Sequence, residues 1–171
     1  GVCSICSLHP YCFHEKDNNK TPNLALLPTK SSQVFHKGQY LSNQGAPLKY
    51  VYVVRSGNLK SYSLSEDGEI QITGFHYPGE VIGLDALYKD EYQSSTLALN
   101  TASVCKVPLF DLISASQKAP DLLHSLLQLM SKEIADDKQM FLTLSQKSVE
   151  SRLAAFLINH SKRLKGLNLS H

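Results

Sequence analysis

The chain has 171 residues, with 17 Lys and Arg against 15 Asp and Glu. That length supports one well-buried domain, hiding roughly 70% of the unfolded surface, and the near-neutral charge excludes an overall basic balance of the kind nucleic acid selects. No apolar run approaches the ~18 residues of a membrane span and no signal-peptide pattern opens the chain, so a soluble, cytoplasmic protein without a membrane partner is expected.

Residues 1–23 are rich in Cys, His, Asn, Lys and Pro without periodicity, which predicts loop rather than core. Short apolar or alternating runs follow: Gln33–Phe35, Tyr40–Leu41, Tyr50–Val54, Leu59–Leu64, Ile70–Phe75, Ser95–Leu99 and Val104–Val107. Turn signals separate them at Lys37-Gly38, Asn43-Gln44-Gly45, Ser56-Gly57, Glu66-Asp67-Gly68 and Pro78-Gly79. Many short strands at near-regular spacing predict a sandwich or rolled barrel. After Pro108 the texture turns helical, with a short helix over Leu109–Ser116 and a long one from Pro120 to about Ser145. At 1.5 Å per residue the long helix runs roughly 35–40 Å, more than a small domain needs for its own packing. A further helix over Val149–Lys165 ends at Gly166, a common C-terminal stop. Both termini are abrupt, without an initiator Met and with no further domain after His171, so a fragment is expected.

The long helix carries two apolar stripes. Leu122, Leu126 and Leu129 are placed to face the barrel. Leu123, Leu127, Met130, Ile134, Asp137, Phe141 and Leu144 follow alternating steps of four and three, the spacing of a coiled-coil seam. A thick buried helix in a monomer is one reading; a homodimer helix explains both the length and the second stripe. Asp137 is the one charge in that seam. Two carboxylates ~5 Å apart at an effective dielectric of ~20 repel by about 3 kcal/mol, enough to shift dimerisation by roughly a hundredfold.

Of the four cysteines, three crowd into Cys3-x2-Cys6-x5-Cys12 and one stands alone at 105. A secreted disulfide scaffold spreads its cysteines and carries more of them, so clustered thiols point to a metal. Three soft thiolates on one short loop suit iron or zinc, and zinc has His9 or His14 as a fourth ligand. In Ser103-Val104-Cys105-Lys106-Val107 the lone cysteine shares a strand face with Val107, opposite Lys106. Taken alone, such a cysteine reads as a small buried hydrophobe.

The chain resembles the FNR branch of the CRP/FNR regulators over essentially its full length. The resemblance rests on the Cys3/Cys6/Cys12 loop, on Arg55-Ser56-Gly57-Asn58-Leu59-Lys60-Ser61-Tyr62, on Gln71-Ile72-Thr73-Gly74-Phe75-His76, and on Val104-Cys105 shortly before Pro108. Arg152-Leu153-Ala154-Ala155-Phe156-Leu157 also looks like the family's lead into its DNA-binding domain. The resemblance implies a mainly β fold with helices: a double-stranded antiparallel β-roll or jelly-roll barrel, like a cyclic-nucleotide-binding domain, followed by a long dimerisation helix. Residues 1–23 then form the cluster-binding loop, 24–119 the sensory barrel, 120–146 the dimerisation helix and 147–171 the start of a truncated winged-helix domain. It implies an oxygen-labile [4Fe–4S] cluster on Cys3, Cys6, Cys12 and Cys105, conversion of that cluster by oxygen, loss of the active dimer, and control of anaerobic metabolism. In the family an Asp at the position of Asp137 keeps cluster-free protein monomeric. Ile5, Ser7 and Tyr11 lie between the ligands and read either as groups that shield the sulfurs or as loop filler. The hairpin at Glu66, Asp67 and Gly68 lies, in the family, on a surface that touches RNA polymerase; by itself it reads equally as a solvated turn. DNA is the implied partner through a C-terminal domain this chain lacks, since no helix-turn-helix follows residue 165. Thr21-Pro22 and Pro28 depart from the family, falling where its members carry helix.

Three competing functions fare worse. Pro78-Gly79-Glu80-Val81 resembles the start of a cyclic-nucleotide phosphate cassette, but Gln93-Ser94-Ser95-Thr96 stands where that cassette supplies its Arg. A buried phosphate without its cation is poorly compensated, so no cyclic nucleotide is expected. A zinc- or thiol-based redox regulator of the same superfamily is the second reading. A cupin-like metalloenzyme is the third, and its strands offer only His36 and His76 without a paired carboxylate at ligand spacing. No nucleophile–base arrangement or glycine-rich phosphate loop is present, so the chain is not expected to be an enzyme.

Overall fold

The computed structural model describes residues 32–146 and 148–166. Eight strands come first: β1 Ser32–Phe35, β2 Tyr40–Ser42, β3 Tyr50–Ser56, β4 Leu59–Leu64, β5 Ile70–His76, β6 Val81–Ile82, β7 Ser95–Ala98 and β8 Ala102–Pro108. Three helices follow, α1 Leu109–Lys118, α2 Pro120–Gln146 and α3 Val149–Gly166. The strands form two antiparallel four-stranded sheets, ordered β1-β8-β3-β6 and β2-β7-β4-β5. The expected rolled double sheet with a long helix after it is therefore the fold. Two short elements escape the sequence pattern, the two-residue strand β6 and a 3-10 turn at Asp85–Tyr88. Both are too short for any periodicity to register.

Between the sheets lies an apolar core. Phe35, Tyr52, Val54, Ile82 and Val104 come from the first sheet, and Leu41, Leu59 and Ala98 from the second. Strand alternation sends Val51, Val53 and Val107 to the other face of the first sheet, yet all three are buried as well. Helix α1 starts directly after β8 and contacts it, with Leu112 and Ala115 buried. The first sheet is thus covered on both faces, which is why Tyr50–Val54 reads as a continuous apolar run rather than an alternating one. The second sheet keeps one face wet: Tyr40, Leu64, Ile70 and Ile72 are exposed.

The interior of the second sheet is not wholly apolar. Ser61 on β4 shares its hydroxyl with Nε2 of His76 and Oγ1 of Thr96, both at 2.7 Å. The partners sit in register, because Ser61 pairs with Thr96 across β7 and Leu59 with His76 across β5. At the β3–β4 turn, Gly57 has φ +76°, and a Cβ there would lie 2.4 Å from the carbonyl oxygen of Thr101. Only glycine fits such an approach.

The described chain divides into two compact units, one reaching Ser125 and the other starting at Leu126. In the first, Leu122 closes the buried set with no exposed surface. The second contains the remainder of α2 and α3, two helices whose apolar side chains are largely exposed.

Candidate functional site

Cys105 sits in the middle of β8, a strand flanked on both sides. Its register partner on β3 is Val53, and on β1 it is Ser32. Val104 and Ala102 point into the core, so Cys105 and Val107 point to the opposite face of the sheet. Lys106 takes the opposite side, with Nζ 3.8 Å from the centre of the Tyr50 ring. The expected strand-face partition is what the structure has. Cys105 is only half-buried, however, whereas its face neighbours Val53 and Val107 are 4% and 1% exposed. A buried-hydrophobe role therefore does not describe it.

The reason for that partial exposure is local. Strand β1 is the sheet edge, and only Phe35 of its four residues is buried. Ser32, the first described residue, is the one that pairs with Cys105. Ser32 on the sheet edge is therefore the neighbour of Cys105 across β1. Cross-strand partners have Cβ atoms about 4.5–5.5 Å apart, so the Ser32 side chain is a close neighbour of the thiol. Cys3, Ile5, Cys6, Ser7, Tyr11 and Cys12 themselves lie outside the described residues, as do His9, His14, Pro22 and Pro28. Among the described residues, no three His, Cys, Asp or Glu side chains stand together as a metal-holding group. His36 is exposed in the β1–β2 turn and His76 is committed to Ser61.

The cassette-like stretch follows β5. The backbone N–H of Tyr77 donates to Oε2 of Glu80 at 3.1 Å, and Gly79 and Val54 are linked by a 2.8 Å backbone hydrogen bond. Ile82, Ala86 and Tyr92 from this stretch belong to the core, with the Tyr92 hydroxyl donating to the carbonyl of Tyr50 at 2.7 Å. Gln93 turns back on its own loop, its Nε2 donating to the carbonyl of Glu91 at 2.7 Å. The β4–β5 turn bearing Glu66, Asp67 and Gly68 is exposed and closed by Ser65, whose carbonyl accepts from Gly68 and whose hydroxyl accepts from the N–H of Glu69.

Along α2, Leu123, Leu127, Ile134 and Phe141 are 47%, 53%, 54% and 70% exposed, and Met130 is half-buried. The side chain of Leu144 lies outside the described residues. Asp137 is exposed on the same stripe, while its neighbour Asp136 accepts a 2.7 Å ion-paired hydrogen bond from Lys132 one turn earlier. The two adjacent carboxylates thus differ: one is neutralised on its own helix, and the other lies on the apolar seam.

Comparison with known proteins places this architecture. Residues 32–118 match the family model of the cyclic nucleotide-binding domain. The transcriptional activator protein anr of Pseudomonas aeruginosa is 40% identical over 168 residues, covering 98% of this chain and 69% of that protein. The fumarate and nitrate reduction regulatory protein of Escherichia coli is 40% identical over 162 residues, covering 94% of this chain and 63% of that protein. Among solved structures, FixK2 from Bradyrhizobium japonicum superposes with a TM-score of 0.72 at 28% identity, over 78% of this chain and 66% of that one. No helix among the described residues is long and apolar enough to cross a membrane. The chain belongs to the CRP/FNR family, whose named relatives here are regulators of transcription and not enzymes.

Proposed function

We propose that this chain is the sensory and dimerisation part of an oxygen-responsive transcription regulator. In this reading Cys3, Cys6, Cys12 and Cys105 hold a [4Fe–4S] cluster whose integrity controls dimerisation through α2. The observation that supports it is the register pairing of Cys105, a half-buried thiol, with Ser32 on the edge strand β1. Four thiolates are the usual donor set of such a cluster, and Cys105, next to the edge strand, fits the fourth place. When bound, the cluster supplies a redox centre that oxygen converts.

The protein's own residues do the rest. Strand β8, held between β1 and β3, gives Cys105 a fixed position, so losing its ligand role releases the 1–23 loop from the barrel. Ile5, Ser7 and Tyr11 shield the sulfurs or tune access between the ligands. Leu123, Leu127, Met130, Ile134, Phe141 and Leu144 form the association stripe of a homodimer, and Asp137 opposes association by facing its copy. Glu66, Asp67 and Gly68 offer an acidic, exposed turn to RNA polymerase. The regulator acts on DNA, the target genes serve anaerobic metabolism, and the site of action is the cytoplasm.

An absorption spectrum with iron and sulfide assay, on protein purified without oxygen, tests this. The reading predicts a visible band with about four iron and four sulfide per chain. Zinc with no visible band would instead support the thiol–metal regulator of the same superfamily. Cyclic AMP is not a ligand in this account, because Gln93 stands in place of a cation and Tyr92 belongs to the core. Calorimetry should therefore find no micromolar binding; finding it would make the barrel a nucleotide sensor.

A further inference from the structure

The inner face of the second sheet carries a row of polar side chains that crosses all four of its strands. His76 on β5 meets Ser61 on β4, and Ser61 meets Thr96 on β7, both at 2.7 Å. Thr96 is in register with Ser42 on β2, the next strand of the sheet. Ser42, Ser61 and Thr96 are 7%, 5% and 1% exposed, and they share the sheet with Leu41, Leu59 and Ala98 of the apolar core. In such surroundings an unpaired hydroxyl is costly.

The row is interrupted at its last member. Ser42 Oγ is buried and has no hydrogen-bond partner among the described residues. Its position follows from an irregularity in β2, where the register shifts between Tyr40 and Ser42 and leaves Leu41 with no residue opposite it. Leu41 and Ser42 are both buried as a result, although neighbours on a regular strand point to opposite faces. The Tyr52 hydroxyl of the facing sheet reaches the Leu41 carbonyl only at a long 3.5 Å. An orphaned hydroxyl, a weakly held carbonyl and Thr96 Oγ1 are thus gathered at one bulge.

From this we infer that the β2 bulge binds one ordered water molecule, which bridges Ser42 Oγ to Thr96 Oγ1 and donates to the Leu41 carbonyl. Register partners have Cβ atoms about 4.5–5.5 Å apart, so one oxygen about 2.8 Å from each hydroxyl spans a pair that does not meet directly. A buried water needs about two to four polar partners, and the bulge supplies three. The chemistry selects water over other occupants. The bulge atoms carry no charge, so the occupant is neutral, and close packing favours a single heavy atom. It also has to serve Thr96 in either sense. If Nε2 of His76 accepts, Ser61 donates to it and Thr96 donates to Ser61; Thr96 then accepts from the water, and the water accepts from Ser42. If Nε2 carries the proton, the order reverses, and the water accepts from Thr96 and donates to Ser42. The bridge completes a hydrogen-bonded chain from β5 to β2 inside the barrel, and none of it involves the cysteines.

Oxygen-17 relaxation dispersion of the solvent, measured on the full chain, counts such waters, because it follows the water oxygen and is blind to exchanging hydroxyl protons. Ser42→Ala and Thr96→Val should each lower the dispersion amplitude by the share of one water, at matched tumbling time. The double variant should lower it by the same single share, since both side chains hold one molecule. Ser131→Ala, on the exposed surface of α2, should leave it unchanged. Ser42→Ala removes a hydroxyl that no protein group holds, so it decides the question alone if Thr96→Val does not fold. An unchanged amplitude in a folded single variant, or the loss of two shares in the double, would overturn the inference.

Discussion

The barrel and the helical unit spend the same residue types in opposite ways. Leu59 on β4 and Leu122 on α2 have no exposed surface, while Leu127 and Ile134, further along the same helix as Leu122, are more than half exposed. Barrel side chains interlock between two sheets and are fully used in folding. Those of the helical unit, from Leu127 onward, are largely left over, in a seam-like row that water covers poorly. The contrast separates the side chains that hold the barrel together from those left open to a partner, and the proposed switch draws on the second set.

The largest expected effect tests that separation directly. Leu59→Ala should lower unfolding stability by about 2–5 kcal/mol, because it opens a cavity in a packed core. Ile134→Ala should leave stability within about 0.5 kcal/mol while weakening any dimer, since its side chain has little to lose in the monomer. Urea denaturation and sedimentation together measure both; a large stability loss in Ile134→Ala would erase the distinction. Next in size is Asp137→Ala. Removing a repulsion of about 3 kcal/mol should tighten association roughly a hundredfold and make cluster-free protein dimerise in air. Asp136→Ala is the control, because Asp136 is already paired with Lys132 and should change dimerisation little. Equal behaviour of the two variants in sedimentation would remove Asp137 from the switch.

The smallest effect sharpens the barrel side. Burial pushes the Tyr52 phenol well above the ordinary tyrosine range, with its tyrosine neighbours raising it further, and burial likewise raises Tyr92. A folded-state value above the unfolded one means the stabilisation is complete below about pH 10 and is lost as pH rises from there towards the folded value. Denaturation midpoints should therefore fall more steeply above pH 10 in the native protein than in Tyr52→Phe. The Tyr52 hydroxyl makes a long 3.5 Å contact with the carbonyl of Leu41 and a hydrogen bond with the Tyr92 side chain, so Tyr92→Phe is the companion variant that isolates the second contact.

The strands were legible because turn residues punctuate them, as at Gly57 and Gly68, where the backbone takes positive φ. The face of Cys105 was legible too, since strand alternation pairs it with Val107 and against Lys106. Its exposure was not. That depends on β8 having an edge strand on one side and a doubly covered strand on the other, a matter of strand order between distant segments. For the same reason no local pattern reveals that Ser32 pairs with Cys105, or that Ser61, Thr96 and His76 meet inside the barrel. The helix seam was readable as spacing, whereas the difference between Asp136 and Asp137 needed the Lys132 side chain in place.

Cys105 is the barrel's proposed contribution to the cluster. The most direct measurement compares native protein with Cys105→Ala, both prepared without oxygen, by iron and sulfide content and by the decay of visible absorption on exposure to air. Cys105→Ala should hold markedly less iron and sulfide and lose its band faster, because an iron left with an open position is labile. Undiminished iron and sulfide with native stability towards oxygen would contradict the assignment.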